Sequence, residues 1–221
     1  MLKKLNEYRL FWREFRQNFH TTGAVLPSGK RLSRALARFA AGGERPKRLL
    51  EVGAGTGAVT RFISRAMGPE DRLDLVELNA SFAESLRTML REDPHYAPTA
   101  DRIQVRQTAI EDFPVDEPYD VIVSGLPLNN FSVESVQGIL DQLMKLLKPN
   151  GTLSFFEYIA IRRVKAVVSR RDERHRLRGI GEVTDRLFAK HEIRRDPIFL
   201  NVPPAWVHHL SHESPGNHRH S

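Results

Sequence analysis

Leu49-Leu50-Glu51-Val52-Gly53-Ala54-Gly55-Thr56-Gly57-Ala58 is an apolar run that breaks into alternating glycines and then takes up helical spacing. Four to five consecutive apolar-rich residues before a glycine cluster read as a buried strand, and the residues after it as the start of a helix. Glycines are needed at such a turn because side chains there would keep a ligand from the backbone, and because the turn demands permissive dihedrals. Gly53, Gly55 and Ala58 also satisfy the relaxed dinucleotide pattern, so the turn alone leaves a nicotinamide enzyme open beside other nucleoside cofactors.

Outward from this turn the chain alternates short apolar runs with helical stretches, the pattern of a parallel sheet with crossover helices. Strands are expected at Arg48–Gly53, Arg72–Leu78, Ile103–Thr108, Tyr119–Gly125 and Gly151–Ile159, with helices at Gly57–Met67, Ala80–Arg91 and Val133–Leu147. The last helix is stopped by Lys148-Pro149-Asn150-Gly151. Glu192–Leu200 and Ala205–Leu210 are expected to close the sheet as an antiparallel pair. The reading is an α/β fold with a doubly wound, mostly parallel seven-stranded sheet and an N-terminal helical extension. Its parts are a helical region over residues 1–45, a main domain over 46–210 and a disordered polar tail over 211–221.

Three side-chain features narrow the cofactor. Glu51, two residues before Gly53, sets a carboxylate where a pyrophosphate prefers none, whereas a sulfonium and an amino-acid ammonium are well served by it; that charge suits S-adenosylmethionine. Glu77 ends the second apolar run, 24 residues beyond Gly53, in position to accept both hydroxyls of a ribose. Ser124-Gly125-Leu126-Pro127 ends the fourth strand in a bend that a dehydrogenase has no special need of.

Glu51 to Gly57, Glu77 and the bend at strand four together resemble the class I S-adenosylmethionine-dependent methyltransferases, over about residues 47–160. The resemblance implies a Rossmann-like methyltransferase fold, S-adenosyl-L-methionine as cofactor and S-adenosyl-L-homocysteine as product. It implies a cofactor site of Glu51, Gly53, Ala54, Gly55, Gly57, Glu77, Leu78 and Ser124, with the adenine held at Ala109 and Ile110. The family's usual Gly-Asp-Ala at the adenine turn is Gln107-Thr108-Ala109 here, so only backbone contacts are expected there. A narrower resemblance lies in Asn18-Phe19, Thr22-Gly23-Ala24-Val25-Leu26-Pro27-Ser28 and Gly125-Leu126-Pro127 with Phe131. These are similar to the bacterial phosphatidylethanolamine N-methyltransferases, relatives of the rRNA adenine dimethyltransferases. That likeness implies that Phe19, Thr22, Gly23 and Ala24 cap the cofactor and that Ser124, Gly125 and Leu126 hold the amine being methylated.

Charge distribution bears on the partner. The net charge of +7 is a patch, because residues 1–48 carry +9, residues 160–178 carry +6 and the remainder carries −8. Such asymmetry fits a polyanionic surface, nucleic acid or anionic lipid. Met1, Leu5, Tyr8, Trp12, Phe15 and Phe19 fall at helical steps opposite Lys3, Lys4, Arg9, Arg13 and Arg16, an amphipathic helix suited to a membrane interface or to a lid on the domain. A second helix is expected from the cap Ser28 through Leu32, Leu36 and Phe39 to Gly42-Gly43. No apolar run reaches membrane-spanning length and no signal-peptide core follows Met1, so the expected location is the cytoplasm, peripheral to the inner face of the cell membrane.

The absence of cysteine removes disulfide scaffolds, thiolate metal sites and cysteine nucleophiles, and methyl transfer requires no metal. A phospholipid ammonium near pKa ~10.4 must lose a proton before attack; Tyr158, at the end of the fifth strand, and His20, beside the capping loop, are the candidate acceptors. An RNA methyltransferase is the alternative, since basic patches attract RNA equally. It is disfavoured because Leu128 stands where an aromatic would stack on a flipped base. A module that binds the cofactor without turnover is the other alternative.

Overall fold

The computed structural model describes residues 29–159, 171–201 and 203–212. The N-terminal amphipathic helix, Phe19, His20, Thr22, Gly23, Ala24 and the basic side chains from Arg162 to Arg170 lie outside the described residues.

Seven strands form one sheet in the order β3-β2-β1-β4-β5-β7-β6. They are β1 (Arg48–Val52), β2 (Arg72–Val76), β3 (Ile103–Arg106), β4 (Tyr119–Ser124), β5 (Leu147–Tyr158), β6 (Glu192–Ile198) and β7 (Ala205–Leu210). The first five run parallel, while β7 is antiparallel to both β5 and β6. The doubly wound, mostly parallel sheet read from the sequence is the observed one. Parallel strands demand burial on both faces, and β1 shows why its five residues suffice: Leu50 and Val52 point into one core, Leu49 into the other.

Helices cover both faces. On one side lie α1 (Lys30–Leu36), α2 (Thr60–Ala66) and α3 (Ala80–Glu92), and on the other α4 (Val133–Leu146) and α5 (Arg171–His191). α3 starts where Asn79 accepts hydrogen bonds from the amides of Ser81 and Phe82, and α4 where Ser132 accepts one from Ser135, both ordinary N-caps. Leu32 and Leu36 seat α1 over β5 and β7.

Five differences from the sequence reading stand out. Gly29 stands at the N-cap of α1, without a side-chain cap, and the helix gives way after Leu36 to a tighter turn over Arg38–Ala40. Residues 57–59 complete the glycine turn, so α2 starts at Thr60 and not at Gly57. β5 begins at Leu147, which pairs with Tyr119 before a register shift, so Lys148-Pro149-Asn150 belongs to the strand and does not separate it from α4. β6 stops at Ile198, two residues short of Leu200. Finally, α5 was not expected at all. Its Gly179 and Gly181 argue against a helix by propensity, but a Cβ on Gly179 would come 2.8 Å from Val133 Cγ2, so the glycine is what lets α5 lie close on α4.

Candidate active site

The strand order reverses between β1 and β4, and at such a switch point the carboxyl ends of the strands leave a crevice. Of the residues expected at the cofactor site, Gly53, Glu77, Leu78, Ala109 and Ile110 line this crevice, and Gly55 is tied to it through its amide bond to Glu77. Two backbone bonds close its floor, Gly53 N to Val76 O and Gly125 N to Val52 O, each 2.8 Å. The cleft is walled by Gly53, Glu77, Leu78, Ala109, Ile110 and Leu126.

The glycines of the turn serve different ends. Gly53, Gly55 and Gly57 all have positive φ, at 72°, 54° and 78°, a region that costs other residues about 1–2 kcal/mol. A Cβ on Gly53 would sit 2.6 Å from Leu126 Cδ2, across the cleft itself. A Cβ on Gly57 would strike Met89 at 2.7 Å, so this glycine is required for packing against α3 and not for approach of a ligand.

Two buried carboxylates flank the turn. Glu51 is 1% exposed and accepts a hydrogen bond from the Thr60 hydroxyl at 2.7 Å. Burial pushes its pKa to about 8, against the opposing effect of Thr60, and Glu77 adds to the rise. Glu77, also 1% exposed, accepts from the amide of Gly55 at 2.9 Å through Oε2 and from that of Asn79 at 2.8 Å through Oε1. It therefore ties the glycine turn to the end of β2, and its carboxylate keeps acceptor capacity for a ribose hydroxyl. Burial raises its pKa too. Two acids sequestered without a basic partner are costly. A cationic group lying in the crevice relieves that cost, so these residues fit S-adenosylmethionine, whose sulfonium and ammonium are positive.

Ser124 is buried and its Oγ accepts from the amide of Leu126 at 3.4 Å, so the hydroxyl shapes the bend. Beyond the bend, Pro127, Leu128, Asn129, Asn130, Phe156, Glu157 and Tyr158 line a second hollow. Leu126 faces the cofactor cleft and Pro127 this hollow, so the bend is the wall between them. Asn129 Oδ1 is buried there without a hydrogen-bond partner. From α5, Arg176 donates to the carbonyls of Phe131 and Asn129, the latter at 2.9 Å, and pairs with Glu173 at 2.7 Å. Arg176, one of the basic residues of the stretch 160–178, is thus engaged in holding the loop.

Tyr158 ends β5 and lines the hollow, edge-on to Phe156 at 5.0 Å. Burial raises its pKa, so the phenol keeps its proton at neutral pH and is a donor or a wall. A phenol that holds its proton more firmly is a poorer acceptor of another. Sequence reasoning missed Asn129 and Glu157; the signal available was an acid ending an otherwise apolar strand, Thr152 to Tyr158.

A doubly wound sheet with a glycine turn and two buried acids at its switch point defines a nucleoside-cofactor enzyme of Rossmann-like architecture. A family profile described as "Methyltransferase domain" matches residues 50–153. The ornithine lipid N-methyltransferase of Singulisphaera acidiphila is 25% identical over 150 residues, covering 68% of this chain and 77% of that enzyme. Compactin diketide synthase mlcB of Penicillium citrinum is 33% identical over 118 residues, 50% of this chain but 4% of that protein. In fold, the chain is similar to the O-methyltransferase TomG from Streptomyces achromogenes, in complex with S-adenosylmethionine, with a TM-score of 0.60, 18% identity and coverage of 88% of this chain and 85% of that one. Residues 50–153 form a methyltransferase domain of the S-adenosylmethionine-dependent, Rossmann-like kind. S-adenosylmethionine is its cofactor and S-adenosylhomocysteine its product.

Proposed function

We propose that the chain methylates the amine of a membrane aminolipid, phosphatidylethanolamine and its mono- and dimethylated forms, towards phosphatidylcholine. The observation that carries this reading is the polar lining of the hollow beyond the Leu126-Pro127 bend. The amide oxygen of Asn129 and the carboxylate of Glu157 are hydrogen-bond acceptors, and among the described residues no Lys or Arg lines it. Such a lining selects a donor-rich cation, an ammonium, over a hydroxyl or an anion. The chemistry that S-adenosylmethionine supplies when bound is an electrophilic methyl group on a sulfonium. The residues of the bend have to align an amine lone pair and exclude water, and the backbone carbonyls from Ser124 to Leu126 are available to the remaining N–H groups.

Lipid as the carrier of that amine is supported by the relative whose name is ornithine lipid N-methyltransferase. It is also supported by the cationic, aromatic spacing of residues 1–19, which offers a peripheral contact to an anionic surface worth a few kcal/mol at roughly 1 kcal/mol per basic residue. Among the described residues no helix is long and apolar enough to cross a membrane. Against RNA, Leu128 is buried in the core beside Phe131 and offers no face to a base. The amine of an ornithine lipid is a second acceptor within the same chemistry.

The test is incubation of the full chain with methyl-labelled cofactor and vesicles of phosphatidylethanolamine or of ornithine lipid. The expected result is label in lipid, with mass increments of one to three methyl groups. Label appearing only in added RNA would overturn the reading.

A further inference from the structure

The acceptor hollow ends on a row of acid, imidazole and acid, buried at the imidazole, that neither the sheet nor the cofactor cleft requires. Glu157 forms part of the hollow's wall, with its side chain 10% exposed, and its Oε2 lies 3.7 Å from Nε2 of His208 on β7. On the far side of the ring, Nδ1 of His208 is 2.6 Å from Oε1 of Glu192 on β6, whose side chain is 20% exposed. The row thus runs from the hollow, through the sheet's antiparallel return, to the rim of the domain.

The imidazole is held to one orientation. Phe188 of α5 stacks on it at 4.0 Å and 9°, and Phe155, its register partner on β5, at 5.7 Å and 30°. The charged groups facing it are Glu157 from β5 and, from β6, Glu192 and Arg195, the latter 3.9 Å from Glu192. With Nδ1–H directed to Glu192, Nε2 presents a lone pair towards Glu157, and that atom is buried without a hydrogen-bond partner. Burial keeps the ring neutral by lowering its pKa, against the pull of the two carboxylates, so it has room for a proton. Asn129 can accept a hydrogen bond in the hollow but cannot take a proton, and Tyr158 retains its own.

We propose that Glu157 and His208 are the proton outlet of the acceptor site: Glu157 receives the proton that the acceptor ammonium must lose, and His208 positions Glu157 and carries the proton on towards Glu192. The N–H bond of the ammonium breaks and its electron pair stays on nitrogen as the attacking lone pair. An O–H bond forms on Glu157, the proton passes to Nε2, and the Nδ1 proton moves to Glu192, which discharges it to water. The inference rests on the aminolipid reading. Glu157 is then a catalytic residue and His208 a positioning one.

The experiment uses the full chain, saturating S-adenosylmethionine and phosphatidylethanolamine vesicles over a range of pH, with wild type, Glu157→Gln and His208→Gln. Wild-type turnover should stay level well below the amine pKa. Glu157→Gln should lose about 100-fold in turnover near neutral pH, the scale of general-base catalysis, and regain about tenfold per pH unit on the approach to ~10.4. His208→Gln should show a smaller loss with the same rising profile, and cofactor affinity should be unchanged in both. A lipid analogue with a β-fluorinated, less basic amine should restore Glu157→Gln towards wild type, which a purely structural role would not produce. Variants that retain the wild-type pH profile would overturn the outlet. So would wild-type activity that climbs tenfold per pH unit throughout, a measurement that stands even if a variant fails to fold. Wild type that binds cofactor but labels no aminolipid at any pH would overturn the aminolipid reading itself, and is told apart by that.

Discussion

Glu51 should make cofactor binding and stability depend on pH in opposite senses. Its carboxyl has a pKa of about 8 in the folded, ligand-free protein against 4.5 for an unperturbed glutamic acid. A folded-state pKa raised in this way means that the folded form holds a proton which the unfolded chain has released. The associated stability is complete below pH 4.5 and is lost as pH rises through 8. At pH 7 the loss spans 2.5 pH units above that reference of 4.5, about 3 kcal/mol at roughly 1.4 kcal/mol per unit. Glu51→Gln keeps the shape of the neutral acid and can still accept from Thr60. The variant is therefore expected to be more stable than wild type at neutral pH, by up to about 3 kcal/mol, when no cofactor is present.

Binding reverses the balance. A cation beside Glu51 favours the ionised form, so wild type should release up to one proton on binding below about pH 8, with affinity rising by as much as about tenfold per pH unit and levelling above that value. Glu51→Gln should lose this slope and bind more weakly. Calorimetry in two buffers of different ionisation enthalpy counts the protons, and urea midpoints across pH give the stability arm. Wild-type affinity that is flat from about pH 6 to 9, with no buffer-dependent heat, would refute the coupling. So would a Glu51→Gln protein less stable than wild type near neutrality.

Gly125→Ala should be harmful where a glycine with free space is not: its Cβ would stand 2.9 Å from the carbonyl oxygen of Gly53, a backbone atom that cannot turn aside. A stability loss of about 1–3 kcal/mol and weaker cofactor binding are expected from denaturant midpoints and calorimetry; Gly42→Ala, with nothing within 4 Å, should show only the smaller cost of its φ of +76°. His209 should govern acid stability. Its Nδ1 lies 2.8 Å from Ser154 Oγ and its Nε2 3.3 Å from Asp196, and burial holds its pKa at about 4 against 6.5 despite that acid. A base with a depressed folded pKa contributes stability that is present above 6.5 and lost as pH falls towards 4, about 3 kcal/mol in all. His209→Gln should flatten that limb in urea midpoints measured between these pH values.

β1, β2 and β4 were legible because each is a largely buried apolar run followed by a glycine or an acid, Gly53, Glu77 and Gly125, and the switch-point site follows from the glycine turn with Glu51 and Glu77. Local pattern failed where packing overrides propensity. α5 carries two glycines and a dense charge run, and only the proximity of Val133 explains why Gly179 belongs in a helix. The row of Glu157, His208 and Glu192 was hidden for another reason. Its members are separated by tens of residues and meet only because β7 returns antiparallel between β5 and β6. Two adjacent histidines in an otherwise apolar strand, His208 and His209, were the signal; alternation sends one to each face, and each finds an acid, Glu192 for the first and the buried Asp196 for the second.

In-line displacement tolerates little error in the distance or angle between donor and acceptor, so the wall between the two hollows has to be fixed from both sides. On the cofactor side, the amide of Gly125 is bonded to Val52, and Leu126 rests on the Cα face of Gly53 where a side chain would displace it. On the acceptor side, Arg176 holds the carbonyls of Asn129 and Phe131. That second clamp comes from α5, the element local sequence pattern did not disclose. The cofactor half of the site can therefore be shared among methyltransferases of unlike substrates, while the position of the acceptor loop depends on a helix outside the stretch matched by the family profile. Substrate choice in this chain should follow changes at Arg176 and Asn129 more closely than changes at the glycine turn.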